Sequence, residues 1–157
     1  MKLDPAHPWN LGLVRACSAR IGDNRRPVAP IMKPKAGSNP YWNLGSHPEV
    51  VERLWDTLGA RLREECRAVI YGAPGLVDPA SGAVLALAYG TAYVIRIPNR
   101  RMEAAVQAGF TAEQRWSDGT YTNIAHLFGQ GWMFGRWLPQ EVDWIAEAIR
   151  DVRQDER

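Results

Sequence analysis

The sequence predicts an α/β (or α+β) fold: a mixed sheet of about four to five strands flanked by three helices. The order is α-β-β-β-α-(β)β-α, after an irregular Pro-rich N-terminal arm. Three observations predict it. An apolar stripe at helical spacing opens at Val50. Two nearly apolar runs, residues 83–89 and 92–97, flank Gly90-Thr91. A second helical stripe runs from Val142 to Ile149 near the end of the chain.

Residues 1–45 form the arm and residues 46–157 the single α/β domain. The arm lacks periodicity and carries Pro5, Pro8, Pro27, Pro30, Pro34 and Pro40, with Pro48 just beyond. Proline fixes φ and removes a donor, which disfavours long helices and central strands. A short strand or turn fits residues 11–17. The tetrapeptide Trp-Asn-Leu-Gly occurs at residues 9–12 and again at 42–45, each time with Pro8 or Pro40 just upstream. Two similar turns are expected, each burying a Trp and a Leu, using Gly for a left-handed residue, and pinning the arm to the body.

Ser46, Pro48 and Glu49 make a helix start with a capping box. Val50, Val51, Leu54, Trp55, Leu58 and Leu62 continue it as one apolar stripe, so a helix is expected over 47–65. Residues 67–71 are β-rich and stop at Gly72. Residues 73–82, with Pro74, Gly75, Pro79 and Gly82, read as a turn-rich connection. Residues 83–89 and 92–97 then read as a hairpin. Asn99 is placed to cap a helix over 100–108, closed by Gly109. Asp118-Gly119 signals a further hairpin, and the aromatic run 132–137 reads as a strand with Trp132 and Phe134 on one face. The last helix is expected from Pro139 to about Arg153, with Val142, Ile145, Ala146 and Ile149 inward.

Composition narrows function without naming it. The chain's 157 residues and 46% hydrophobic content suit one folded domain. Seven tryptophans give it several aromatic anchor points. Residues 1–36 hold seven Lys/Arg against Asp4 and Asp23, while the remainder holds 12 basic and 15 acidic residues. A basic arm of net +5 thus precedes a body of net −3. The arm can touch phosphate, although a solvated arm, or one docked on its own acidic body, is the simpler reading. Cys17 and Cys66 are too few for a disulfide framework or a zinc site. No apolar run approaches about 18 residues, and the first residues carry no apolar signal region. A soluble cytoplasmic protein with no membrane contact is expected.

The element order is similar to the core of the restriction-endonuclease-like nucleases. That resemblance implies an acid on the second strand and Glu/Gln-x-Lys on the third, holding Mg²⁺ and activating water. Here residues 83–89 carry no acid, residues 92–97 offer only Arg96, and Asp78 precedes the second strand without a lysine partner. The resemblance therefore implies at most a degenerate, nucleic-acid-binding relative.

Candidate catalytic residues are His126, Asp78 and Asp118. His126 lies in the most aromatic region and suits acid/base work, while a structural role is the simpler reading. Asp78, Ser81 and Asp118 lie where strand-end sites occur, and each is also what a turn requires. His7, His47 and His126 are not in metal-ligand spacing, so no metal or cofactor is expected. Candidate binding residues are Arg96, Arg100, Arg101, Trp137 and Trp144. Arg96 is a charge within an apolar strand: edge exposure explains it most simply, and an ion pair or anion contact is the sharper reading. With Arg100 and Arg101 it suggests a basic patch at one sheet edge. Trp and Arg dominate binding hot spots, and Trp144 lies off the apolar stripe of its helix.

These features favour a non-catalytic protein-binding protein of adaptor, regulatory or immunity type, partnered by another protein or a second copy of itself. The alternatives are a small hydrolase-like enzyme with a site near Asp78, Asp118 and His126, and a nucleic-acid-binding protein contacting its ligand through the basic arm.

Overall fold

A computed structural model describes residues 3–15, 31–32, 48–62, 65–89, 92–107, 132–135 and 142–155. The strands are β1 (Ile31–Met32), β2 (Arg67–Ile70), β3 (Ala73–Val77), β4 (Val84–Tyr89), β5 (Ala92–Arg96) and β6 (Trp132–Gly135). The helices are α1 (Pro48–Glu52), α2 (Asn99–Gln107) and α3 (Val142–Asp155). The strands lie side by side in chain order. Every pair is antiparallel.

The mixed α/β class and the helix-flanked sheet are as the sequence indicates. The expected mixed sheet of four to five strands is an antiparallel meander of five, with the two-residue β1 added at one edge. The extra strand is β3, within the stretch expected to be a connection. Tyr71 and Gly72 both have positive φ, 46° and 81°, the signature of a two-residue type I′ hairpin turn. Such a turn matches the twist of its flanking strands, so Ala73 pairs directly with Ile70 and the chain folds straight back. Pro74 sits opposite Val69, next to the pair that closes the hairpin. At that non-hydrogen-bonded position its missing N–H removes nothing from the β2 ladder. With β3 inserted, the order becomes α-β-β-β-β-α-β-α and departs from the one similar to the nuclease core.

Gly75 is required by close approach. A Cβ there would lie 2.4 Å from Ile70 Cδ1 and 2.7 Å from the Ala86 carbonyl oxygen. On β4 one extra residue, Leu85, intervenes where Leu76 faces Ala86 and Val77 faces Val84. This bulge resets the side-chain alternation, so that Leu85 and Ala86 both join the helix-side core.

The helix side holds the larger core. Val50, Val51, Leu54, Trp55 and Leu58 meet Val69, Leu76, Ala86, Tyr93, Ile95 and Met133, with Ile145, Ala146, Ile149 and Val152 of α3. The first helix is not α-helical to residue 65. It opens as α1, widens into a π turn over Arg53–Leu58, tightens to a 3₁₀ turn over Gly59–Arg61, and is extended at Leu62. The widened turn keeps Leu54, Trp55 and Leu58 buried together, and the Trp55 indole N–H donates to the Gly75 carbonyl at 2.9 Å. The Ser46 cap, the Asp118-Gly119 hairpin and residues 42–45 lie outside the described residues.

The opposite face is smaller. Ala68, Ile70, Val77, Val84, Leu87, Val94 and Trp132 pack there with Leu3 and Leu13 of the arm. Residues 3–15 are thus docked on the body. Pro8–Asn10 form a 3₁₀ turn that continues helically through residue 15, where a strand or turn is expected from sequence. His7 caps the turn: its Nδ1 accepts from Trp9 N at 3.1 Å. Gly12 lies in this helical stretch, so the expected left-handed glycine is not what shapes the first Trp-Asn-Leu-Gly.

Candidate functional site

Antiparallel register brings the end of β3, the start of β4, the end of β5 and the start of β6 to one end of the sheet. Most of the polar side chains the described interior retains converge there. Asn10, Asp78 and Arg96 are the buried polar or charged residues among those described.

Asn10 is wholly buried. Its Nδ2 donates to the carbonyls of Asp4 and Gly82, and its Oδ1 accepts from Val84 N, all at 2.8 Å. The primary amide therefore reads one donor and two acceptors, a pattern that no other side chain of similar size supplies. Gly82 makes it possible. With φ at 77°, it aims its carbonyl at the arm, where the oxygen also accepts from Asp4 N at 3.1 Å. Within Trp-Asn-Leu-Gly it is Asn10, not the expected leucine, that is buried; Leu11 is 49% exposed.

Arg96 is also interior, 9% exposed, and not the exposed edge charge that is the simplest sequence expectation. Register places Trp132 directly opposite it on β6. The guanidinium carbon lies 4.8 Å from the Trp132 ring centre and 5.0 Å from that of Trp9. Its Nη2 donates to the Trp9 carbonyl at 2.8 Å. Delocalised charge and weak hydration suit arginine to such an aromatic setting, and a desolvated cation–π contact contributes about 2 kcal/mol.

Asp78 closes its own turn. Its Oδ1 accepts from Ala80 N at 3.0 Å, its N donates to the Ala83 carbonyl, and its carbonyl accepts from Gly82 N, both at 2.8 Å. Ser81 Oγ accepts from Ala83 N in the same turn. Asp78 Oδ1 also meets Arg153 of α3 at 3.2 Å, with both side chains largely buried. Two residues earlier on α3, Asp151 accepts from Arg101 at 2.7 Å, and Glu147 lies 3.6 Å from the same guanidinium. Arg101 thereby clamps α2 to α3. These pairs fix the turn and the second helix to the last one, and they hold each charge against a counter-charge.

The structure therefore brings Asp78, Arg96 and Arg101 to one region but does not make a basic patch of the two arginines. Arg96 is spent on tryptophans, and Arg101 on carboxylates. Arg100 lies in α2 and Trp144 in α3, with side chains outside the described ones; Trp137, Asp118 and His126 lie outside the described residues altogether. Sequence reasoning missed Asn10, Gly82 and Arg153. The repeated tetrapeptide was the available signal for Asn10. Nothing local marks Arg153, whose partner is 75 positions away.

Elsewhere the notable ionic group is Glu65. Side-chain hydrogen bonds from Arg67, at 2.6–3.1 Å, hold its carboxyl below the ordinary value against a smaller opposing effect of burial. Among the described residues, no group of three His, Cys, Asp or Glu is placed to hold a metal ion. No helix of the described residues is long and apolar enough to cross a membrane. Comparison with protein-family models, curated proteins and solved structures finds no match.

Proposed function

We propose that the chain is a non-catalytic protein-binding protein of the cytoplasm, of adaptor, regulatory or immunity type. The observation that carries this is the way the body holds residues 3–13. Two leucine anchors, an asparagine read by backbone groups on both sides, and a carbonyl captured by a buried arginine are the contacts of sequence-specific peptide recognition, made here in cis. Asp78, a catalytic candidate from sequence, and Arg101, a binding candidate, each make an ion pair that joins elements. Trp144, Trp137 and Arg100 are the residues proposed for contact with a partner other than a second copy.

Affinity purification of the full-length protein from its native host tests the reading. A stoichiometric protein partner is the expected result: a different protein lost with Trp144→Ala, or a second copy lost with Asn10→Ala, while the main thermal transition is little moved. A chain that recovers neither another protein nor a second copy of itself would overturn it. Recovery of nucleic acid alone, with a steep salt dependence, would transfer the function to the basic arm.

A further inference from the structure

We infer that the sheet end formed by Gly82, Val84, Arg96 and Trp132 is a peptide-recognition site whose ligand in trans is the N-terminal segment of a second copy of this chain. The inference rests on the protein-binding reading above and names its partner.

The contacts of residues 3–13 end on the sheet. Asp4 N and Asn10 Nδ2 reach Gly82 O, Val84 N reaches Asn10 Oδ1, and Arg96 Nη2 reaches Trp9 O. Leu3 and Leu13 pack with Ile70, Leu87 and Val94. Every one of these contacts joins the segment to the body. The bond from Asn10 to Asp4 O is internal to the segment and travels with it. The same segment on another molecule therefore carries the whole recognised set. Exchange of an identical element replaces each contact by its equal, so its free-energy cost is small beyond that of association.

Reach permits it. Fifteen residues, 16–30, separate residues 3–15 from β1, which pairs with β2 in the sheet. At about 3.3–3.6 Å per residue they can span roughly 50 Å, more than the diameter of a domain this size.

The site also selects between the chain's two Trp-Asn-Leu-Gly copies. Aligning Trp42 with Trp9 places Ala36 at the position of Leu3 and Ser46 at that of Leu13. The second copy repeats the asparagine but lacks both leucine anchors. The first copy is the ligand, and the second is a weak competitor.

Full-length variants test this by complementation. Asn10→Ala carries a defective segment and an intact site; Arg96→Ala carries an intact segment and a defective site. The expected result is a wild-type dimer on concentration, measured by light scattering, near-monomeric variants, and a mixed dimer when the two variants are combined. A fluorescent peptide of residues 1–15 should enter the wild-type protein. Its Asn10→Asp version should bind at least tenfold more weakly, because a carboxylate would face the Gly82 carbonyl, and a peptide of residues 36–46 should also bind at least tenfold more weakly. The peptide arm decides the matter even where a variant fails to fold. A wild-type monomer at every concentration that admits no peptide, or admits all three equally, would overturn the inference. If such a monomer still captures a different protein from its host, only the second-copy assignment falls; if it captures nothing, the protein-binding reading falls with it.

Discussion

The helix-covered face of the sheet and the face covered by residues 3–15 are held by different means. On the first, helices α1 and α3 lay a continuous apolar surface on five strands, and the area removed from water does most of the work. On the second, Leu3 and Leu13 supply the apolar contact, Trp9 reaches round to pack against the helix-side core, and Asn10 and Arg96 supply direction. Loss of apolar area from a close-packed core lowers the stability of the whole domain. Loss of a buried amide with three partners is felt locally. The first face carries the stability of the domain; the second fixes where residues 3–15 dock.

Substitution on the helix side should have the largest effect. Leu54→Ala removes a wholly buried side chain from the centre of the larger core. It should lower global stability by about 2–5 kcal/mol, read as a shifted denaturant midpoint with all probes moving together. A main unfolding transition left unmoved by Leu54→Ala would contradict this. Asn10→Ala should come next. It leaves the Val84 N–H without its acceptor, a cost of about 1–3 kcal/mol. The loss is capped, because undocking residues 3–15 lets water reach that group. The arm should therefore detach, seen as faster proteolysis near Arg15, with the main unfolding transition little moved.

Arg96→Lys keeps the charge and removes the planar group from between its aromatic neighbours. A loss of about 0.5–2 kcal/mol is expected by chemical denaturation, again concentrated in the arm. An effect as large as that of Leu54→Ala would mean that the two faces are not independent. The smallest effect is titration of Glu65. Its folded pKa lies below the unfolded one, so it contributes stability above the unfolded value and loses it as pH falls through the folded value. Glu65→Gln should remove this shallow acid dependence from a stability–pH curve and leave neutral stability nearly unchanged, since the group is more than half exposed.

Periodicity made the helix-covered face legible. Val50 to Leu58, the β4–β5 pairing and the Ile145–Ile149 stripe all follow from spacing that each segment carries within itself. The face covered by residues 3–15 was far less so. Pro74 and Gly75 disguised β3, because turn residues and a close-packed edge of a hairpin share the same composition. Arg96 was visibly out of place, yet its explanation lies 87 positions away at Trp9. The repeated Trp-Asn-Leu-Gly pointed to a docked turn, but leucine looked like the buried residue because hydrophobicity is a local property. Asparagine is the buried one because its partners, Gly82 and Val84, become neighbours only when the sheet exists.

Amide hydrogen exchange at Val84 is the most direct measurement, since that N–H donates to the Asn10 side chain. In Asn10→Ala rapid exchange is expected at Val84 and across residues 3–15, with amides of α3 and β5 protected as in the wild type. Unchanged protection at Val84, or an equal loss of protection on both faces, would contradict this.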